Sequence, residues 1–323
     1  MVGARYGSGM AGLPQLPREA DAGGRFVRQA SRFLDCVQPD GSAPYPAAAG
    51  RYHLFVAPSC PWAHRTALVR RIKGLDDIVS LSYANLPKLQ GWAFSQGLDA
   101  LQPVDGVLHA HRIYAAAQPG YTGRVTVPVL WDRQRRAIVN NESSEIIRML
   151  NSEFADLGAA DIDLYPGPLR AEIDALNARI YDNVNNGVYR CGFAKSQEAY
   201  EAACRALFAM LDELEARLAR ARYLVGNRLT EADVRLYPTL VRFDAAYYSH
   251  FKCNLRRLED YPALSGYLRD LHQRPAFGTT VDIAAIKRGY YGGQPQLNPS
   301  GIVPLGPELD FSRPHGRGAL GPD

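Results

Sequence analysis

In the stretch RYHLFVAPSCPWAHRTALVRRIKGL, residues 51–75, a single cysteine, Cys60, stands where an apolar run ends and a basic helix begins. A thiol in the first turn of a helix meets backbone N–H groups with no intrahelical acceptor and the positive end of the helix dipole. Both favour thiolate over thiol. His64 and Arg65, one turn further on, would add positive potential. A free cysteine has a pKa of about 8.5, and at helix N-termini values fall to roughly 3.5–7.5. A value near ~6.5 would leave about three quarters of the thiol ionised at pH 7. The position of a resolving cysteine, three residues on, is Ala63. A thiolate at Cys60 could therefore attack a disulfide or a thioether but could not release itself. An external thiol must open the mixed disulfide, and in a reducing cytosol that thiol is glutathione.

The elements around Cys60 read as a strand over 52–57, a helix over 61–73 with Pro61 at its first position, and a second strand over 77–83. Proline suits that first position because its missing N–H would have no partner there. Strand, helix, strand at this spacing predicts a βαβ unit with a parallel pair. Residues 85–124 hold Gly, Pro and Gln with little periodicity and read as a long insertion. VTVPVLWD (125–132) and RAIVN (136–140) read as two further strands, with Pro128 an anomaly inside the first, since it cannot donate to a ladder. A cis Val127–Pro128 bond facing the cysteine, as thioredoxin-type domains have, would account for it. NESSEIIRMLN (141–151) opens a helix.

Past the Gly- and Pro-containing stretch 154–168 the patterns are almost all helical. Leu207, Met210, Leu211, Leu214 and Leu218 form one stripe. Thr230 and Asp233 have the spacing of a capping box, a structural device with no chemistry. The predicted organisation is an N-terminal extension (1–50), an α/β domain of mixed sheet (51–152) with the insertion at 85–124, a linker (153–168), an all-α domain (169–288) and a C-terminal extension (289–323).

The whole chain fits two modest domains at 323 residues. A net charge of +4 with interspersed signs speaks against nucleic acid as a partner. No apolar run reaches the roughly 18 residues of a membrane span. The Gly- and Pro-rich lead-in, residues 1–24, has no secretory apolar core, so a cytoplasmic location is expected. Five cysteines without paired spacing give neither a disulfide framework nor a zinc site, and no metal is expected. Cys36, Cys191, Cys204 and Cys253 read as core or passive thiols.

The blocks CPWAHR, TVPVLWD, NNESSEIIRML, NNGVYRCGFA, LVGNRLTEADVRLYPTLVRFD and KRGYYG, in this order, resemble the glutathionyl-hydroquinone reductases, the Xi class of the glutathione transferase superfamily. The resemblance spans about residues 26–295. It implies a thioredoxin-like domain followed by a helical one, a homodimer, and glutathione-dependent reduction of S-glutathionyl-hydroquinones. It also implies residue roles. Cys60 would be the nucleophile. Trp92 would pack on glutathione, Arg124 would bind its carboxylate region and Val127 its peptide backbone. Glu142 and Ser143 would hold the γ-glutamyl end, and Tyr189 and Tyr290 would line the hydroquinone pocket.

The residue chemistry agrees. A helix N-terminus at Ser143 suits a carboxylate, and an ionised Glu142 suits an ammonium, although both residue types also serve as plain helix caps. Three rivals share the fold. A thiol transferase or dehydroascorbate reductase would use the same cysteine and differ only in substrate. A conjugating transferase needs a Tyr or Ser beside the glutathione sulfur, where a cysteine would instead capture glutathione as a disulfide. A non-enzymatic binding protein would have no use for a reactive thiol at position 60.

Overall fold

The structure, a computed structural model, describes residues 20–40, 42, 44–96 and 106–321. Residues 1–19 of the expected lead-in and 97–105 of the expected insertion lie outside the described residues. A short parallel pair, β1 (Val37–Gln38) with β2 (Tyr45–Pro46), precedes the main sheet.

The main sheet has the order β4-β3-β7-β8. Strand β3 (Tyr52–Val56) lies at its centre, and all five of its residues are buried. That fits a strand covered on both faces, for which a continuous apolar run is the sequence mark. Helix α1 (Pro61–Ile72) crosses from β3 to β4 (Ser80–Tyr83), which pairs parallel to it. Strand β7 (Val129–Asp132) runs antiparallel to β3, with Tyr52 opposite Asp132, and β8 (Ala137–Asn140) runs antiparallel to β7. The buried Arg51 guanidinium donates through Nε to Asp132 Oδ2 at 3.0 Å and ties the ends of the two central strands together. Helix α3 (Ser143–Ser152) packs on α1.

Two expectations are corrected. The stretch 85–124 is not a plain insertion. It carries a two-residue ladder of β5 (Ala93–Phe94) with β6 (Leu108–His109), then helix α2 (Ala110–Ala117), which packs on β8. Its buried Ala110, Ile113 and Tyr114 join the core, so α2 is part of the sheet's own packing. Pro128 lies just before β7 rather than inside it, and the Val127–Pro128 bond is cis. The proline thus interrupts no ladder.

The rest is helical: α4 (Arg170–Ile180), α5 (Gly187–Gly192), α6 (Gln197–Leu218), α7 (Glu231–Arg242), the short α8 (Tyr248–His250), α9 (Pro262–His272), α10 (Pro275–Gly278) and α11 (Ile283–Tyr291). The stripe expected on α6 is buried. At the start of α7 the capping box forms, with Asp233 Oδ2 accepting from the Thr230 amide at 2.8 Å. Its other oxygen accepts from the Tyr267 hydroxyl at 2.7 Å and links α7 to α9.

Helix α7 packs on α1 and brings Arg242 beneath the turn before Cys60. The buried guanidinium donates to the Ser59 carbonyl (3.0 Å), the Pro58 carbonyl (2.7 Å) and His64 Nδ1 (2.9 Å). The helical half therefore supplies the donors for the turn that carries the thiol.

Candidate active site

Cys60 is the N-cap of α1, as the sequence suggests, with extended backbone. Its sulfur accepts from the Ala63 amide at 3.5 Å and lies 3.6 Å from the Val127 carbonyl, to which the thiol donates. The expected ionisation is corrected, however. Burial pushes the thiol pKa above its ordinary value. The Ala63 and Trp62 amides and the Arg242 and Arg28 cations oppose that shift without overcoming it. The helix-terminus donors are present, but desolvation of the charged form is the larger effect.

His64 and Arg65 also differ from expectation. Arg242 occupies His64 Nδ1, so the imidazole proton is on Nε2 and is given to Thr280 Oγ1 at 2.8 Å. Burial, then Arg242 and His272, holds the His64 pKa well below its usual value, so the ring is neutral. Arg65 turns away to the Asn185 side chain (2.7 Å) and the Arg235 carbonyl (3.1 Å). Neither charges the sulfur as proposed from the sequence; Arg242 and Arg28 take that place.

A cleft of about 1310 Å³, its open mouth included, lies over Cys60, and Trp92, Arg124, Val127, Tyr189 and Tyr290 line it too. Six of the eight residues singled out in the sequence thus meet in one cavity. The other two, Glu142 and Ser143, stand beside it at the start of α3, next to the cleft-lining Asn141 and Ser31. Glu142 caps α3. Its Oε1 accepts from the Ser144 amide at 3.2 Å and its Oε2 from the Ser31 hydroxyl at 3.0 Å. Ser143 is 2% exposed. Helix capping is thus formed at Glu142, alongside any part it plays toward a ligand.

On the opposite side the hydroxyls of Tyr189 and Tyr290 are 2.8 Å apart, and a third phenol, Tyr247, is 2.8 Å from Tyr290. Tyr290 sits in α11, a helix that reaches beyond the expected domain end, and it is buried. Tyr189 is half-buried. Burial raises all three phenols. Tyr189, eased by the Arg28 cation, is pushed up to about 12, and the other two are raised well above their ordinary value.

The N-terminal segment was read only as an extension, yet it forms a wall of the cleft. Phe26 packs on Phe193 with ring centroids 5.5 Å apart. Phe33 pairs with Asn141 through backbone and side chain, meets Tyr114 edge-to-face and lies tilted against Tyr121. Between them Arg28 lies 4.6 Å from the Trp62 ring centroid and 4.9 Å from that of Tyr189. Lys88 sits 4.7 Å over the Trp92 ring at the far side. Sequence reasoning missed Arg28, Lys88, Tyr247 and Arg242. Arg242, inside LVGNRLTEADVRLYPTLVRFD, and Trp62, inside CPWAHR, stood within quoted blocks but were given no role.

Fold and site together define a cysteine-type glutathione transferase. The family model for the glutathione S-transferase N-terminal domain matches residues 59–153, and the model for the C-terminal domain matches 197–270. The chain is 50% identical over 288 residues to the glutathionyl-hydroquinone reductase PcpF of Sphingobium chlorophenolicum, covering 88% of this chain and 91% of that one. It is 47% identical to the glutathionyl-hydroquinone reductase YqjG of Escherichia coli, covering 91% and 93%. The glutathione-bound structure of YqjG superposes with a TM-score of 0.83 over 88% of this chain and 96% of that one, at 46% identity. The glutathione transferase Xi of Phanerochaete chrysosporium superposes with 0.85, at 45% identity, over 91% and 96%. The chain belongs to the glutathionyl-hydroquinone reductases, the Xi class of the glutathione transferase superfamily.

Proposed function

We propose that the protein reduces S-glutathionyl-hydroquinones to hydroquinones at the expense of glutathione, through a Cys60–glutathione mixed disulfide. The observation that carries this reading is the meeting, in one cleft, of a lone N-cap thiol and the linked hydroxyls of Tyr189 and Tyr290. The Cys60 thiolate attacks the glutathione sulfur of the aryl thioether. The carbon–sulfur bond breaks, its electron pair passes into the ring, and the ring carbon that held sulfur takes up a proton. A second glutathione then attacks the mixed disulfide, releases oxidised glutathione and regenerates Cys60. The first step is covalent catalysis by a thiolate. Charge shifts on the ring oxygens during it, and a phenol aimed at them stabilises the transition state more than the ground state.

Glutathione occupies the side of the cleft holding Trp92, Arg124 and Val127. Its γ-glutamyl end lies toward Glu142, Ser143 and the start of α3, where backbone amides suit a carboxylate. The domains are taken as 51–152 and 169–288, with α11 running on to Tyr291 and the strap of residues 26–35 serving both. The protein acts as a cytoplasmic homodimer. Reduction of small disulfides at Cys60 is the alternative use of the thiol, and the tyrosine cluster, which that chemistry does not need, favours the aryl substrate.

The test is Cys60→Ser. It should lose nearly all hydroquinone release from a glutathionyl-hydroquinone supplied with excess glutathione. Mass spectrometry of the wild type treated with oxidised glutathione should place the adduct on Cys60. An adduct confined to Cys191 or Cys204 would sink the mechanism.

A further inference from the structure

Four cations, Arg28, Arg32, Lys88 and Arg124, line the cleft, and no aspartate or glutamate appears among its described lining residues. Glutathione brings two carboxylates and one ammonium, a net charge of about −1 at neutral pH. Leaving Arg124 aside, Arg28, Arg32 and Lys88 still bring more positive charge to the cleft than glutathione neutralises. The position of Arg28 tells which part of the ligand meets the excess. Its guanidinium lies against Trp62 and Tyr189, on the aromatic side that the hydroxyl cluster occupies. Its Nε donates to the neutral Asn186 side chain at 2.9 Å, which fixes the group without cancelling its charge. None of the described ion pairs includes it, and Nη2 is buried with no hydrogen-bond partner. A guanidinium left unpaired and partly desolvated is costly, and it presents a flat fork that matches a carboxylate or another anionic oxygen.

We propose that Arg28 makes this site selective for glutathionyl aromatics whose ring carries an anionic oxygen, a ring carboxylate being the favoured group. The inference rests on the reductase reading and names the substrate class within it. Arg28 holds the anion while stacked on Trp62, and so orients the ring between the sulfur and the phenols. The cation arrives from the N-terminal strap, outside both parts of the chain that the family models match. Aryl preference is therefore set by a segment separate from the one that binds glutathione.

The experiment compares two thioethers, S-glutathionyl-hydroquinone and the same compound with one ring carboxylate, on the full chain. Wild type should favour the carboxylated compound in kcat/KM. Arg28→Gln should shrink that preference about 10- to 100-fold, the scale of one charge-assisted hydrogen bond, and Arg28→Lys should restore part of it. Dissociation constants measured by calorimetry on a Cys60→Ser background should show the same loss of preference without any turnover. This second readout separates the two ideas. If neither compound is reduced by wild type yet the carboxylated one binds tighter through Arg28, the reductase reading fails and the anion site stands. Equal affinity of wild type for both compounds overturns the anion site. So does an Arg28→Gln loss that is equal for both thioethers and for free glutathione, which would assign the cation to the peptide instead.

Discussion

Three phenols in a row share two hydrogen bonds, so two protons are engaged and one is left over. If the donors run from Tyr247 through Tyr290 to Tyr189, the spare proton sits on Tyr189, half-buried at the cleft. If they run the other way, it sits on Tyr247, which is fully buried. A buried donor without an acceptor costs about 1–3 kcal/mol, so the first order is favoured by about 5- to 150-fold. In the proposed reaction Tyr189 would then present a proton to a ring oxygen, and Tyr247 would act at a distance by setting the direction. Removing the Tyr247 hydroxyl with Tyr247→Phe leaves the ring packing and abolishes that bias. Turnover of a glutathionyl-hydroquinone should fall by about 5- to 10-fold, equivalent to about 1 kcal/mol. Tyr189→Phe, which deletes the presented proton itself, should cost about 10- to 100-fold, with Tyr290→Phe between the two. The assay is hydroquinone release under saturating glutathione, run beside reduction of a small glutathione disulfide, which needs no ring contact. The ratio of the two activities should move in the order Tyr189, Tyr290, Tyr247. A larger loss for Tyr247→Phe than for Tyr189→Phe refutes the direction, and a ratio unmoved in all three variants places the hydroxyls outside the reaction.

Because burial outweighs the opposing donors at Cys60, iodoacetamide labelling of the free protein should still be gaining rate with pH above about 8.5; a plateau by pH 7 would show the thiolate already formed. Glu142→Gln should weaken glutathione binding by about 10- to 100-fold in calorimetry, whereas a change in melting temperature alone would reduce Glu142 to its role as the cap of α3. The depressed pKa of His64 makes stability acid-sensitive: the unfolded imidazole binds a proton below about 6.5 while the folded one does not, so stability is full above that pH and declines as pH falls toward the lower folded value. Denaturant midpoints from pH 7 to 5 should follow this slope, and a slope unchanged in His64→Gln would assign the effect to other groups.

The parts of the site made by neighbours in sequence were legible. The strand, Cys60 and α1 follow from an apolar run, a proline at a helix start and the absence of a second cysteine. Pairings across the chain were not. Tyr189 and Tyr290 lie 101 residues apart, and their contact is set by how α5 and α11 pack. Arg28 and Arg242 act on a thiol remote in sequence; Arg28 stands in no quoted block, and the block that holds Arg242 gives no sign of the turn it will face. The charge state of Cys60 was misread for the same reason. The helix-end donors are local and readable, whereas the burial that outweighs them comes from the whole fold. Helix α2 escaped notice because AHRIYAAA is short, rich in alanine and flanked by glycine and proline.

The grip of Arg242 on the carbonyls of Pro58 and Ser59 bears on how this architecture can change. A thioredoxin-like unit is often pictured as a self-sufficient cassette to which helices are appended. Here the cassette reaches across the junction for three of the donors that shape its reactive turn. Cut free, residues 51–152 would leave two carbonyls and the His64 nitrogen without those partners, at about 1–3 kcal/mol for each that stays buried. Exchange of either half between relatives is therefore tolerated only where the incoming helix carries an arginine at this place, which ties the inheritance of the two halves together.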